Sequence, residues 1–496
     1  MYIGIDCGTQ GTKAIICDSD SKVIGTGYYQ HDLISNDYGK KEQKTNWWID
    51  AMVKAIKQAF SQAAINPKEI KGLGISGQQH GLVLLDETDR VLRNVKLWCD
   101  TEPTELFQQF EEQHFSQTQL VDQLGIHTPV AFTIAKLLWI KTYEPELYSK
   151  IHKVMLPHDY LNYWFTGEFK TECGDASGSG FLDTHTRCWS DAILDVFDKQ
   201  RSFVLPELIE SHEPHGFVRP EIAKLFGFDA NVIVSSGGGD NMMAAIGTGN
   251  VTDGLLTMSL GTSGTVYSHS SVQVDSKNHP DINAFCSSTN GYLPLASTMN
   301  VTSATTAFRE LFELDLNCFE EHIASSPVGA DGIRIMPYLN GARLPNVPRA
   351  RAAIFGLSGN NMNQQNLLRS AVEGVTYNLA KGVEILKDSG LSFEHVLVIG
   401  GGSNSRTWRQ IIADVTGLEV KAPQAAEAGA LGAAMQAMWC ESVYYNKGES
   451  IEDICQRSIV LDEDKRTEPN PASVATYQQL FSEYHGEVND YIKMYR

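Results

Sequence analysis

The feature that most constrains the fold of this chain is a short glycine and threonine turn that occurs twice. GTQGT occupies residues 8–12 and GTSGT occupies residues 261–265, roughly half a chain apart, and each lies between two apolar runs. Such a pattern is typical of a β-hairpin, and glycine and hydroxyl residues in the turn expose donors that can hold a phosphate. A pattern repeated at this distance indicates an internal duplication. We therefore expect two related domains, each with one phosphate-binding hairpin, facing each other across a cleft.

The length and charge of the chain limit its partners. With 496 residues it is long enough for two or three domains with large cores. Its net charge of -20 and sequence pI of about 5.1 make it a poor candidate for binding nucleic acid or an anionic membrane. A phosphate site in so acidic a protein has to rely on backbone N–H groups and a few cations.

The cysteines and the apolar segments predict a cytoplasmic protein. Nine cysteines are scattered from Cys7 to Cys455 with no CxxC pair, which favours reduced thiols over a disulfide framework or a zinc site. The N-terminal MYIGIDCGTQ lacks the basic segment and the long apolar core of a signal peptide. No run of about 18 apolar residues is present, so we expect no membrane span.

The segment SSGGGDNMMAAIGTG at residues 235–249 offers a single carboxylate at a helix start. An apolar run precedes three glycines, and Asp240 and Asn241 then open an apolar stretch. Glycine allows positive φ and lets another molecule approach without a Cβ in the way. A carboxylate at this place can cap the helix, or it can act as a base beside a bound substrate. On this segment alone the two interpretations carry equal weight.

Two further glycine-containing loops have both a functional and a structural interpretation. SGQQHG at residues 76–81 presents two amides and an imidazole between two strands, which suits hydrogen bonding to a polyol. Taken alone, a solvated turn with a structural histidine is the stronger interpretation of that loop. At residues 400–405 a buried strand runs into GGGSNS. Its flat backbone can lie against a planar base such as adenine, or the glycines can serve only the turn into a helix, and these two carry equal weight.

Apolar periodicity predicts the long helices and a central strand. Apolar residues recur at helical spacing over residues 48–63 and 366–386, and residues 396–399 form an apolar run typical of a buried strand. Near the C-terminus, residues 474–491 show an apolar and aromatic stripe at steps of three and four. We interpret this stripe as a docked amphipathic helix, with a partner-binding helix as the alternative.

In this order, the segments resemble the FGGY family of carbohydrate kinases, part of the superfamily of sugar kinases, actin and heat-shock proteins. The resemblance runs from residue 1 to about residue 435, and a GQxHG loop followed by GGGDN is typical of ketopentose kinases. The segments that carry it are MYIGIDCGTQGTK, EQKTNWW, GLGISGQQHGLVLLD, FTIAKLLW, LPHDYL, TGEF, GDASGSGFLD, GGGDN, SLGTSG, EGVTYNLA, IGGGSNSRTWRQIIADVTG and GALGAA.

The resemblance implies an α/β fold of two RNase-H-like (actin-like ATPase) domains, with ATP and sugar in the cleft between them. It implies MgATP-dependent phosphorylation of a ketopentose, with D-xylulose as the expected substrate. Asp240 matches the family's catalytic base, and Asp6 matches the aspartate that acts through the Mg²⁺ and phosphate region. Gln79, His80 and Asn241, together with Asp240, match positions that contact the ketose. The matching nucleotide positions are Gly8, Thr9, Gln10 and Lys13 in the first hairpin, Gly261, Thr262 and Ser263 in the second, and Gly400, Gly401, Gly402 and Ser405 on the adenine side.

The same resemblance gives the expected domain organisation. Residues 1–248 form the N-terminal domain, which binds the sugar and carries the first phosphate hairpin. Residues 249–440 form the C-terminal domain, which binds ATP and its adenine. Residues 441–496 form a helical extension packed on the second domain. A homodimer is compatible with the family.

Three positions depart from the pattern of the family. Gln79 stands where Met is usual, GARLP at residues 341–345 replaces an acidic residue followed by Arg-Thr-Pro, and WCDTE at residues 98–102 replaces Trp-Asn-Asp and a nearby Arg. These changes leave D-ribulose, another pentulose or a sugar acid as alternative substrates. The alternative from another class is an ATP-driven switch without a sugar, and the presence of both GQQHG and GGGDN speaks against it.

Overall fold

Two large β-sheets, one in each half of the chain, carry the fold in the computed structural model, which describes residues 1–115, 119–425 and 427–495. The strands of the first half are β1 (Tyr2–Cys7), β2 (Gly11–Cys17), β3 (Val23–Gln30), β4 (Ile34–Ser35), β5 (Lys41–Gln43), β6 (Gly72–Gly77), β7 (Val83–Leu85), β8 (Val95–Lys96), β9 (Lys153–Met155), β10 (Lys170–Glu172), β11 (Leu182–Asp183), β12 (Cys188–Trp189), β13 (Glu207–Ile209), β14 (Pro214–Phe217), β15 (Ile233–Ser235) and β16 (Gly238–Gly239). Those of the second half are β17 (Leu255–Leu260), β18 (Gly264–Tyr267), β19 (Asn283–Cys286), β20 (Tyr292–Thr298), β21 (Arg334–Met336), β22 (Ala353–Phe355), β23 (His395–Ile399) and β24 (Glu419–Lys421).

Helices cover and connect the sheets. They are α1 (Thr45–Ala63), α2 (Thr104–His114), α3 (Gln119–Leu124), α4 (Thr133–Tyr143), α5 (Pro145–Tyr148), α6 (Pro157–Thr166), α7 (Cys173–Ala176), α8 (Asp191–Asp198), α9 (Pro220–Phe226), α10 (Asp240–Gly247), α11 (Thr302–Leu311), α12 (Leu316–Ser325), α13 (Gln364–Asp388), α14 (Arg406–Thr416), α15 (Ala428–Tyr444), α16 (Ile451–Ser458) and α17 (Pro471–Ile492). The periodic stripes of the sequence become α1, α13 and α17, and the apolar run at residues 396–399 becomes β23. Within the described ranges, no helix is both long and apolar enough to cross a membrane.

Five strands of each large sheet share one topology, β3-β2-β1-β6-β15 in the first and β20-β18-β17-β23-β24 in the second. The first has the order β14-β15-β6-β1-β2-β3 and the second has the order β19-β20-β18-β17-β23-β24. In the first sheet β1 pairs antiparallel with β2 and parallel with β6. In the second sheet β17 pairs antiparallel with β18 and parallel with β23. A further parallel strand, β15 or β24, follows outward. This correspondence agrees with the duplication that the repeated turns predict.

Helix α15 lies in the C-terminal half of the sequence but packs on the first sheet. It lies against β1, β6 and α10, and its alanines share an apolar cluster with Met242 and Ala245. The backbones meet at Gly4, where an added Cβ would lie 1.8 Å from the carbonyl oxygen of Ala430. Glycine is therefore required on β1 for this contact. The expected range 249–440 thus contains a helix that completes the core of the first half.

The C-terminal segment divides between the two halves, which corrects the expectation of a single extension on the second domain. Ile451 and Ile454 of α16 belong to the cluster of α10 and α15. Tyr477 and Tyr484 of α17 are buried in the core of the second half. The hydroxyl of Tyr477 donates to Oε1 of Glu373 in α13 at 2.7 Å, which satisfies that buried polar group and fixes α17 in place.

Candidate active site

Asp240 is the first residue of α10, which follows β15 and a glycine turn. Gly237 in that turn has a φ of 70°, which glycine adopts without strain. Oδ1 of Asp240 accepts from the backbone N–H and from Nδ2 of Asn241, at 2.8 and 3.1 Å. Oδ2 accepts no hydrogen bond from any described residue. One oxygen therefore binds the helix start, as a cap would, and the other is left for a ligand.

The surroundings of Asp240 raise the pKa of its carboxyl group to near neutral pH. Burial raises its pKa to about 7, helped by the negative charges of Asp6 and Asp175 and opposed by the hydrogen bonds from Asn241. A carboxylate with a pKa near the working pH is well suited to accept a proton from a reacting group.

Asp6 is the next-to-last residue of β1, in the middle of the first sheet, with Lys13 opposite on β2 and Ser76 opposite on β6. The hydroxyl of Ser76 donates to Oδ1 of Asp6 at 2.7 Å. Burial raises the pKa of Asp6, while Ser76 and Lys13 act in the other direction. The N-terminus of α15 faces this carboxylate, since a Cβ added at Gly429 would lie 3.0 Å from it. Free N–H groups of a first helical turn favour negative charge at this place.

The first glycine–threonine turn is fixed by side chains from outside the hairpin. Gly8 closes the turn by donating to the carbonyl oxygen of Gly11 at 3.0 Å. The hydroxyl of Thr9 donates to Oε1 of Gln78 and accepts from Nε1 of Trp98, both at 3.1 Å. Gln10, at the tip of the same turn, is exposed to solvent, and Lys13 forms an ion pair with Glu427, directly before α15.

The second turn and the GGG loop lie side by side in the other half. The carbonyl oxygens of Gly261 and Thr262 accept from the start of α11, and Thr262 and Ser263 are exposed. Gly400 has a φ of 85°, and a Cβ there would lie 2.7 Å from the carbonyl oxygen of Leu260. Gly402 is buried, whereas Gly401 faces open space. The turn and the loop therefore expose neighbouring stretches of backbone to solvent.

Ser405 has a structural task in this loop. Its hydroxyl accepts from the N–H of Trp408 at 3.0 Å, which caps α14, and donates to Oε2 of Glu320 at 2.5 Å. The sequence offered Ser405 as a nucleotide contact, and in the structure the one donor hydrogen of its hydroxyl is directed to Glu320.

His80 is enclosed by aromatic rings from both halves. Its ring centroid lies 4.8 Å from that of Phe132 and 5.8 Å from that of Phe285, and its backbone has a φ of 64°. Burial, followed by the positive charges of Lys136 and Arg343, holds the pKa of His80 well below its usual range. The imidazole is therefore neutral at physiological pH, and only 8% of the residue surface is exposed.

Gln79 and Asn241 join the loop at residues 76–81 to Asp240. Nδ2 of Asn241 donates to Oε1 of Gln79 at 3.0 Å, and Nε2 of Gln79 donates to Oδ1 of Asp175 at 3.3 Å. Oδ1 of Asn241 accepts from the hydroxyl of Thr265 at 3.2 Å. Thr265 is the last residue of the second GTxGT motif. The loop, the carboxylate and the second hairpin thus meet through side chains that the sequence separates widely.

Comparison with known proteins identifies the family. Residues 1–247 match the N-terminal domain of the FGGY family of carbohydrate kinases, and residues 256–441 match its C-terminal domain. The chain belongs to the FGGY family of carbohydrate kinases. It is therefore a sugar kinase, with ATP and a sugar as its substrates.

Relatives of this FGGY kinase match it from end to end. It is 46% identical over 492 residues to the xylulose kinase of Haemophilus influenzae, covering 98% of each chain. It is 35% identical over 447 residues to the xylulose kinase of Escherichia coli, covering 88% of this chain and 89% of that one. The crystal structure of a "xyloylose kinase" from Brucella ovis matches with a TM-score of 0.89 at 28% identity, over 98% of both chains. The two-domain α/β fold implied by the resemblance is confirmed.

The three departures from the FGGY pattern have different surroundings. Gln79 belongs to the network around Asp240. Asp100 and Glu102 bind Nζ of the buried Lys96, with an N–O distance of 3.1 Å for Asp100, and Glu42 lies 3.8 Å from the same nitrogen. An ammonium group therefore occupies the centre of this acidic cluster. The guanidinium of Arg343 lies over the ring of Trp98, 5.4 Å from its centroid, and links the 341–345 loop to the first half.

Several residues of the FGGY site were not assigned from the sequence. Asp175 and His158 form a buried ion pair behind Gln79, Thr265 holds Asn241, and Glu427 holds Lys13. Asp175 and His158 lie within GDASGSGFLD and LPHDYL, which contributed to the resemblance without a stated role. The sequence therefore contained these family segments, but it did not show which side chains they would contact.

Proposed function

We propose that this FGGY kinase transfers the γ-phosphoryl group of MgATP to a terminal hydroxyl of D-xylulose and forms D-xylulose 5-phosphate. Its relatives from Haemophilus influenzae and Escherichia coli, which match nearly the whole chain, are xylulose kinases. The observation that carries the proposal is Asp240, which has a pKa of about 7 and is hydrogen-bonded to Asn241 beside Gln79. One of its carboxylate oxygens accepts no hydrogen bond from the described part of the chain.

Asp240 is the proposed base. A sugar hydroxyl is too weakly acidic to ionise beforehand, so Oδ2 of Asp240 accepts its proton as the new O–P bond forms. The bond from phosphorus to the bridging oxygen of ADP breaks, and ADP leaves with that electron pair. Phosphoryl transfer has a loose transition state, so positioning and charge neutralisation supply most of the rate. Gln79, Asn241 and His80 are proposed to hold the ketose in place, His80 as a neutral ring.

The phosphates are proposed to lie between the two glycine–threonine turns. Backbone N–H groups of Thr9 and Gln10 would serve on one side, where Gly8 closes the turn, and those of Gly261, Thr262 and Ser263 on the other. Lys13 is the nearby cation, although Glu427 shares its charge. The backbone at residues 400–402 is proposed to lie against the adenine, because Gly401 has open space above it. Ser405 would act there indirectly, by fixing the loop at the start of α14.

Asp6 is the proposed Mg²⁺ ligand. A single carboxylate beside phosphate oxygens and waters is the arrangement that Mg²⁺ usually takes in kinases, and Asp6 is a carboxylate with an oxygen that no described residue uses. The ion would neutralise charge on the phosphates. Ser76 orients the carboxylate, and the N-terminus of α15 favours its charge.

We also propose that the domain boundaries lie at residues 248 and 440. The protein is proposed to act in the cytoplasm, as a monomer or as a homodimer. The cytoplasmic location is supported by the cysteines, since all nine lie in the described ranges and are free. The boundaries fall close to the limits of the two family domains.

The experiment is ADP release by the purified protein with MgATP and a panel of sugars. The panel contains D-xylulose, L-xylulose, D-ribulose, L-ribulose, glycerol and gluconate, together with a control without sugar. We expect turnover that depends on D-xylulose and is far slower with the other sugars. Faster turnover with another pentulose or a sugar acid would overturn the assigned substrate. ATP hydrolysis that ignores every sugar would overturn the proposed reaction and favour the ATPase switch.

A further inference from the structure

A buried ion pair lies behind the loop at residues 76–81. His158 in α6 donates from Nδ1 to Oδ2 of Asp175 in α7 at 2.7 Å, and its Nε2 lies 2.9 Å from Oδ1 of Asp159. All three side chains are fully enclosed. Burial alone lowers the pKa of His158, but the two carboxylates outweigh it and raise this pKa well above its usual range. The ring is therefore a cation at neutral pH, paired with Asp175.

This pair sets the direction of the hydrogen bonds that lead to Asp240. Burial raises the pKa of Asp175, and the hydrogen bond and positive charge of His158 oppose this rise. In the ion pair the carboxylate only accepts, so Gln79 turns its amide nitrogen to Asp175, at 3.3 Å, and its oxygen to Asn241. Asn241 then donates from Nδ2 to Gln79 at 3.0 Å and to Asp240 at 3.1 Å. Its oxygen remains to accept from the hydroxyl of Thr265 at 3.2 Å.

The opposite orientation of Gln79 is unfavourable in this enclosure. A reversed amide would place a carbonyl oxygen against the carboxylate of Asp175 and an NH₂ group against the NH₂ group of Asn241. Gln79 is buried, with 4% of its surface exposed, so water cannot compensate for the lost partners. A buried polar network that is left partly unsatisfied is strongly destabilised. Asp175 thereby selects one of the two amide orientations.

We propose that His158 and Asp175 are positioning residues for the sugar site. They fix the amide orientation of Gln79, and through it that of Asn241, so that a ketose meets one defined set of donors and acceptors beside Asp240. The inference rests on the proposed function, because that function assigns Gln79 and Asn241 to the ketose. Neither member of the pair touches the substrate, and both act through Gln79.

The test is a double-mutant cycle on the full-length enzyme with the preferred ketose. Asp175→Asn keeps the size of the side chain, but its amide can donate or accept and so no longer selects an orientation of Gln79. We expect the KM for the ketose to rise about tenfold, with kcat changed by less than about threefold, the effect of roughly one lost hydrogen bond. Gln79→Met keeps the length of the side chain and removes its amide, which also raises this KM. Because Asp175 acts through Gln79, adding Asp175→Asn to Gln79→Met should cause no further rise.

A second readout separates positioning from general loss of structure. The charged groups that face Asp240 are Asp6 and Asp175, with Tyr267 nearby and protonated. Asp175→Asn removes one negative charge, so the rise of kcat/KM with pH should move to lower pH. Gln79→Met leaves that charge in place and should leave the rise where it is. The dependence of kcat/KM on pH is measured for both variants between about pH 5.5 and 9, a range that includes the expected rise.

The matched control is Glu373→Gln in α13. It replaces another buried carboxylate, one that binds Arg369 at 2.8 Å in the second half and lies outside the site. We expect a lower midpoint of unfolding, with KM and pH profile as in the wild type. This result would show that loss of a buried ion pair as such does not change the sugar site.

The outcomes are distinct. Additive KM effects in the cycle, or a KM unaffected by Asp175→Asn, would overturn the positioning role. If Asp175→Asn does not fold, His158→Gln takes its place in the cycle with the same expectation, because an unpaired Asp175 binds a proton and can then donate. Failure of the proposed function would look different, as a wild-type enzyme whose ADP release responds to no ketose.

Discussion

The hydroxyl of Thr265 donates a hydrogen bond of 3.2 Å to Oδ1 of Asn241. Thr265 lies on β18, at the end of the second glycine–threonine motif, while Asn241 follows Asp240 at the start of α10. The two residues come from different halves of the duplicated fold. A displacement of the second hairpin therefore reaches the side chain beside the proposed base through one hydrogen bond.

Replacement of Asp240 should separate turnover from sugar binding. We expect Asp240→Asn to lower kcat by about 10³, within the usual range for loss of a general base, while the ketose still binds. Calorimetric titration with the ketose and a coupled assay of ADP release measure the two effects. A variant that keeps near-wild-type kcat would contradict the assignment of the base.

The same variant should change how stability depends on pH. The pKa of Asp240 is raised from 3.8 to about 7 in the folded protein. Its contribution to the free energy of unfolding is therefore fully present below about pH 4, and it is lost as the pH rises through 7. Asp240→Asn lacks this loss, so it should be more stable than the wild type at pH 8 and gain less at pH 5. Urea unfolding at both pH values measures the difference, and an equal gain at both would contradict the raised pKa.

Catalysis by the wild-type enzyme should show the same titration. A base works only when deprotonated, so kcat/KM should rise with pH through about 7 and then level off. His80 should contribute no rise in this range, because its pKa is held well below its usual value by burial. Initial rates at low ketose concentration measure the profile. A rise centred near pH 4 to 5 would show that Asp240 titrates as an ordinary carboxyl group.

Arg343 should help to hold the halves together around the substrates. Its guanidinium lies 5.4 Å from the ring centroid of Trp98, within the range of a cation–π contact. We expect Arg343→Gln to lower kcat/KM by about tenfold, since closure also excludes water from the transfer site. ADP release should then exceed sugar phosphate formation. Arg349→Gln, which replaces an exposed arginine further along the same segment, is the control and should leave both quantities equal. If the two variants behave alike, the contact with Trp98 has no role in closure.

Gly4 should be among the least replaceable residues of the first sheet. A Cβ at this position would lie 1.8 Å from the carbonyl oxygen of Ala430, and backbone cannot yield as a flexible side chain does. We expect Gly4→Ala to lower the free energy of unfolding by about 3 kcal/mol. Gly486→Ala is the control, since Gly486 lies within α17 with open space around its Cα. It should raise the free energy of unfolding by about 0.5–1 kcal/mol. Urea unfolding measures both, and a loss in both variants would contradict the importance of the close contact.

Local features of the site could be predicted from the sequence. A glycine and threonine turn between two apolar runs specifies a hairpin within a few residues, and three glycines before Asp240 specify a helix start at that aspartate. The structure shows both. The family resemblance then supplied expected roles, because the order of many short segments is far more specific than any one of them.

Contacts between distant segments were not accessible in the same way. Gln79 and Asp175 are 96 positions apart, and Lys13 and Glu427 are 414 positions apart. Nothing in the local pattern around either partner specifies the other, because such contacts arise only when sheets and helices pack. Ser405 shows the reverse problem. Its local pattern fits a nucleotide loop and a helix cap equally, and only its distance to Glu320 shows what the hydroxyl does.

The packing of α15 on β1 also determines when the protein can fold. During translation β1 (Tyr2–Cys7) leaves the ribosome long before α15 (Ala428–Tyr444), the helix that covers it. One apolar face of the first sheet therefore stays exposed until α15 is synthesised, a state that favours aggregation and binding by chaperones. A fragment that stops at the end of the N-terminal family domain would remain in that state, so the N-terminal half of this duplicated kinase is not an independent folding unit.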